Sequence, residues 1–140
     1  LHASLFQLLP DGRINKNFYT KEEQEDLNLT GPSAPVLTTY ASLRPVCFEL
    51  IKGKKTPLSF RFVFHLSREN TEKILQRADT SFSLADIHAL VLTIRYDGAA
   101  VMCTTGTSLS VFSMDKSVEH AWDDMVRRFF LKNDLAFTEN

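Results

Sequence analysis

Near the C-terminus the apolar positions fall into a helical rhythm. Val118, Ala121, Trp122, Met125, Val126, Phe129 and Phe130 recur every three or four residues, one stripe at the 3.6-residue period. Lys116, His120, Asp123, Asp124, Arg127 and Arg128 occupy the opposite arc. The pattern predicts an amphipathic helix, capped by Ser113 or Asp115 and anchored by Trp122.

Before that helix the period drops to two. Leu90, Leu92 and Ile94 alternate with Val91, Thr93 and Arg95 up to Asp97-Gly98, a dipeptide suited to a two-residue type I′ turn. That turn would set Tyr96 opposite Ala99, Ile94 opposite Val101 and Leu92 opposite Cys103. Leu90, Leu92, Ile94, Val101 and Cys103 would share the face that receives the helix. Val91, Thr93, Arg95, Ala100, Met102 and Thr104 would take the other. Gly106 predicts a bulge or bend in the second strand, which resumes to Phe112.

Earlier in the chain, Leu58, Phe60, Phe62, Phe64 and Leu66 alternate with Ser59, Arg61, Val63 and His65, a strand with one face in the core. Ser67 caps a following helix whose apolar points are Thr71, Ile74, Leu75 and Ala78. Leu43, Val46, Cys47, Leu50 and Ile51 predict another helix, capped by Ser42, with Pro45 in its first turn and Gly53 just past its end. Thr20 and Glu23 stand at capping-box spacing for a short acidic helix. Ala3–Leu9 and Arg13–Tyr19, around Pro10-Asp11-Gly12, read as a hairpin. The residues between Asn28 and Leu37, with two Gly/Pro breaks, form an irregular connection. Together these elements predict a single α+β domain over residues 1–140, with a mainly antiparallel sheet of about five strands and helices packed on one face.

Composition changes this picture little. Of 140 residues, 44% are hydrophobic and 24% charged, and the net charge is −1. Those values suit a globular protein and argue against nucleic-acid binding through bulk charge. No apolar run approaches the ~18 residues of a membrane span. No signal peptide is visible. Leu1 is not a start residue, so a trimmed or missing N-terminal segment is expected. Cys47 and Cys103 sit at apolar positions and are expected to be buried free thiols in a reducing, cytoplasmic compartment.

Several strings carry a resemblance. They are Gly12-Arg13-Ile14-Asn15-Lys16, Phe18-Tyr19-Thr20, Arg44-Pro45, Phe48, and Leu50 through Phe60. Thr104 through Ser108, Asp115-Lys116-Ser117 and Ala121-Trp122-Asp123 complete the set. The chain resembles, over nearly its whole length, a family of short uncharacterised proteins from anaerobic Gram-positive bacteria. The resemblance implies a bacterial, intracellular, single-domain protein whose relatives carry a further segment before residue 1. It brings no catalytic or binding residues, since the family is a domain of unknown function.

Candidate chemistry is sparse. Lys52, Lys54 and Lys55 around Gly53, with Thr56, form a basic turn. It reads either as a contact for an anion or acidic protein, or as a solvated helix end complementing the helix dipole. Its glycine spacing is not that of a phosphate-binding loop. Thr104, Thr105 and Thr107 around Gly106 read either as a ligand-facing rim or as a twisted edge strand. Glu119, His120, Asp123 and Asp124 are the one dense set of potential metal ligands, and would need His65 or His88 to complete a site. A solvated polar face explains the same residues. The reading is a non-enzymatic binding or regulatory module, with an acidic protein or an anion as partner at the basic turn. A metal-dependent or hydrolytic enzyme and a structural homo-oligomer are the alternatives. No catalytic residue, metal or cofactor is assigned, and neither nucleic acid nor membrane is an expected partner.

Overall fold

The computed structural model describes residues 12–32, 34–53 and 57–140. Two compact units divide the chain, residues 1–56 and 57–140.

In the first unit Arg13 bridges antiparallel to Leu37. Ile14 N–H donates to the Val36 carbonyl and Thr38 N–H to that of Gly12, both at 2.9 Å. Lys16–Phe18 then wind into one 3-10 turn, with the Asn15 side chain accepting from Asn17 N–H. The hairpin expected here is therefore corrected in its second half: an asparagine side chain captures the local backbone and diverts it from a strand. Its first half, Ala3–Leu9, lies outside the described residues. Helix α1, Lys21–Asp26, carries the expected capping box. Thr20 Oγ1 accepts from Glu23 N–H at 3.2 Å, and the Glu23 carboxylate accepts from Thr20 N–H at 2.8 Å.

Helix α2, Tyr40–Lys52, begins three residues before Leu43, at Tyr40. Thr39, not Ser42, stands at its N-cap, and the two hydroxyls bond each other at 3.0 Å. Pro45 consequently falls inside the helix, where it removes the donor that would reach the Ala41 carbonyl. Gly53 follows with φ −52°, not a left-handed value. Space is the tighter constraint there, since a Cβ would sit 3.2 Å from the Glu49 carbonyl oxygen.

The second unit is a three-stranded antiparallel sheet with two long helices. Strands β1 (Phe60–His65), β2 (Ile87–Tyr96) and β3 (Val101–Leu109) lie in the order β1-β2-β3. Phe60 faces Tyr96 and His65 faces Val91; Tyr96 faces Val101 and Leu92 faces Thr105. The expectation of about five strands is corrected to three among the described residues. The hairpin register is also corrected, by two residues. Asp97 Oδ1 accepts from both Ala99 and Ala100 N–H at 3.0 Å, which draws four residues into the turn instead of two. Gly98, at φ +99°, supplies the conformation that this wider turn needs. A shift of two preserves the alternation, so each strand residue keeps its expected face. The irregularity expected at Gly106 occurs instead between Ile87 and Ala89; Gly106 pairs regularly with Val91.

Helices α3 (Arg68–Arg77) and α4 (Ser117–Lys132) pack against each other, and α4 packs against β3. Ser67 caps α3 as expected, its Oγ accepting from Asn70 N–H at 3.3 Å. The cap expected for α4 is corrected: Lys116 stands at its N-cap, and Asp115, one residue earlier, accepts from Ser117 N–H at 2.8 Å. Ile74, Ile87, Leu90, Val118, Trp122 and Val126 form the core, with Leu66, Leu92, Leu109 and Met125 packed around them. Complete burial of a residue such as Leu90 contributes about 1.5–3 kcal/mol. Trp122 is buried and donates its Nε1–H to the Val91 carbonyl at 3.1 Å, so its one polar atom is satisfied. The cysteine expectation is corrected. Cys103 is exposed and Cys47 half-buried, and both are free thiols. The core gathers toward Leu90 and Leu109, whereas Cys103 lies beside Ile94, toward the hairpin turn.

Candidate functional site

The sheet carries two unlike surfaces, and the register decides which residue joins which. Phe60, Phe62, Phe64, Leu92, Ile94 and Tyr96 point to the side of α4. Arg61, Val63 and His65 of β1, Val91, Thr93 and Arg95 of β2, and Met102, Thr104 and Gly106 of β3 point away from it. On this outer face Arg61, Val63, His65, Arg95, Met102 and Thr104 are exposed.

Within it, Arg61 and Arg95 are direct cross-strand partners. The Leu66 N–H donates to the Leu90 carbonyl at 2.9 Å, so the even-numbered β1 residues exchange hydrogen bonds with β2. Arg61 and Arg95 then form a non-hydrogen-bonded pair, the kind whose side chains lie closer. Like charges in that position repel. No acidic residue occurs on any of the three strands. Among the described residues neither arginine forms an ion pair. The nearest acid in sequence, Asp97, is held below the usual carboxylate range mainly by the Ala100 and Ala99 N–H groups, and only slightly by Arg95. Thr93 and Thr104, paired in the next row, add two hydroxyls. The arrangement presents two forked donors and hydroxyls to an anionic surface.

A cleft of about 200 Å³ lies between β1 and α4, walled by Leu66, Leu92, Trp122, Met125 and Phe129, with His65 at its edge. A second, more open depression runs along α2 by Pro45, Val46 and Leu50.

The residues singled out from sequence fall in both compact units. Lys52 ends α2, with its ammonium 5.3 Å from the centre of the Phe48 ring, a cation–π distance. Lys54, Lys55 and Thr56 lie outside the described residues. The hydroxyl-rich strand divides by parity. Thr104 faces outward, whereas Thr105 turns to α4 and donates to Asp123 Oδ1 at 2.6 Å. The Thr107 Oγ1 is buried without a hydrogen-bond partner among the described residues. Two members of the polar cluster on α4 are spent locally: Glu119 pairs with Lys116 at 2.7 Å and Asp124 with Arg127. The Lys116 hydrogen bond lowers the Glu119 pKa. Among the described residues no three His, Cys, Asp or Glu side chains are grouped to hold a metal. Arg61 and Arg95 were not singled out from sequence. Their signal was the shared odd parity of two strands, which becomes a pair only through the register.

These features define a class: an α+β protein with an antiparallel sheet, packed on one face by helices and basic on the other. The chain matches a family of unknown function, DUF5721, over residues 3–138, and it belongs to that family. Comparison with curated proteins and with solved structures finds no match. No helix among the described residues is long and apolar enough to cross a membrane.

Proposed function

We propose that this protein is a non-enzymatic binding module whose outer sheet face recognises an acidic surface of a partner protein. One observation carries the reading: Arg61 and Arg95 stand side by side on a strand pair that bears no acid. An isolated sheet gains nothing from that repulsion. A carboxylate-bearing partner relieves it and turns both guanidinium groups into two-pronged donors. The basic turn of Lys52, Lys54, Lys55 and Thr56 serves as a second acidic contact, and Thr104 adds a hydroxyl to the first. The family match across both compact units supports a single working domain. The sequence resemblance supports a bacterial, cytoplasmic setting, and two free thiols agree with a reducing compartment.

The test is titration with poly-glutamate at low ionic strength, followed by fluorescence anisotropy. The wild-type protein is expected to bind in a salt-sensitive manner. The double change Arg61→Ser and Arg95→Ser should weaken binding about tenfold or more, while exposed substitutions of this kind leave stability within about 0.5 kcal/mol. Equal binding by the double variant removes the reading. Preference for DNA or RNA over poly-glutamate would redirect it to nucleic acid.

A further inference from the structure

We propose that the partner is bound by strand addition: an extended protein segment of alternating apolar and acidic residues joins the outer edge of β1 and seats an apolar side chain in the cleft beside α4. This rests on the acidic-partner reading above and specifies the form in which the partner is recognised.

The edge comes first. Leu66 bonds inward to Leu90 at 2.9 Å, so by antiparallel alternation Arg61, Val63 and His65 turn their N–H and C=O groups away from β2. All three residues are exposed. Among the described residues β1 pairs with β2 alone. Edge strands are ordinarily blunted by charged side chains, proline or a bulge. β1 reads Phe-Arg-Phe-Val-Phe-His and pairs in continuous register from Phe60 to His65, so it has neither proline nor bulge, and its one guarding charge, Arg61, is the group an acidic partner would neutralise.

The pleat then dictates the guest. Side chains of an added strand alternate between the two faces of the sheet. Those pointing toward α4 arrive over the cleft of about 200 Å³ between Leu66, Trp122, Met125 and Phe129. Its volume suits a single large apolar side chain, and methionine adapts readily to the shape of what it contacts. Those pointing the other way come alongside Arg61 and His65, with Arg95 one strand further in. Since the sheet contributes no carboxylate, Asp or Glu at these positions gives the opposite-charge cross-strand pairs that β-sheets favour. Main-chain hydrogen bonds supply affinity in this mode, and the alternate side chains supply specificity.

The experiment uses the whole chain and a fluorescent peptide of about nine residues alternating Leu and Glu, a length typical of a long strand. A second peptide has the same sequence with every other amide N-methylated, so that one edge cannot donate. A third is poly-glutamate. The alternating peptide should bind more tightly than poly-glutamate, and N-methylation should weaken it about tenfold or more. Val63→Pro should do the same, because the Val63 N–H is directed away from β2 and proline is tolerated at an edge. Met125→Trp, which fills the cleft, should erase the advantage of the leucines and leave poly-glutamate binding unchanged. If the methylated peptide binds as well as its parent, strand addition is overturned while the acidic-partner reading stands, and this arm needs no protein variant. If neither the alternating peptide nor poly-glutamate binds at low ionic strength, both readings fall. Dimerisation through β1, abolished by Val63→Pro in the absence of any peptide binding, would overturn the proposal in favour of a second copy.

Discussion

On the side of the sheet crossed by α4, Leu90 is 0% and Trp122 4% exposed. On the other side of the same strands, Val63 is 48% and Met102 60% exposed, and Met102 stands in one row with Arg95 and Arg61. The two faces share every backbone hydrogen bond and differ only in side-chain parity. What separates them is where a helix with a matching apolar stripe can land. Along β3 the contrast runs between neighbours: Thr105 is tied to Asp123 on α4 at 2.6 Å, and Thr104 beside it faces outward next to Thr93. A threonine therefore serves structure or recognition according to parity alone.

The comparison can be broken most severely from the packed side. Trp122→Ala empties the centre of the core and strips a donor from the Val91 carbonyl. We expect a loss of about 3–5 kcal/mol in urea unfolding; a loss below about 1 kcal/mol would mean that α4 is not what holds this face. A smaller effect is expected from Thr105→Val. It leaves the half-buried Asp123 carboxylate without its strand partner and should cost about 1–2 kcal/mol. Thr104→Val on the outer face serves as the control and should stay within about 0.5 kcal/mol. Equal losses at the two positions would erase the distinction between the faces.

The smallest effect is a slope rather than a step. The Asp97 pKa is lowered in the fold, first by the Ala100 N–H and then by that of Ala99. A depressed folded pKa means that the unfolded chain binds the proton more readily. The associated stability is thus fully present above the unfolded value of about 3.9 and fades as pH falls through the lower folded value. Asp97→Asn should flatten the acid limb of the stability curve and leave the curve near neutral pH otherwise similar in shape. An unchanged acid limb would show that the Ala99 and Ala100 N–H groups do not hold the Asp97 carboxylate in its charged form.

The elements were legible in the sequence where one local force dominated. The α4 stripe, the Thr20–Glu23 capping box, the Ser67 cap and the alternation along β1 depend on periodicity or on contacts within four residues. Face assignments survived a register error because they depend only on parity. Sequence patterning fell short wherever a distant or competing partner decided the outcome. Asp97 widened a turn that its dipeptide would otherwise have kept tight, and Asn15 turned an expected strand into a 3-10 turn. Cys103 remained exposed because the core gathers at the other end of its face. The arginine pair of the outer surface is the clearest case. Arg61 and Arg95 lie 34 positions apart, and only the pairing of β1 with β2 sets them against each other. Period two can name the face a residue takes, but not which residue stands across from it, because cross-strand neighbours are fixed by the pairing of whole strands.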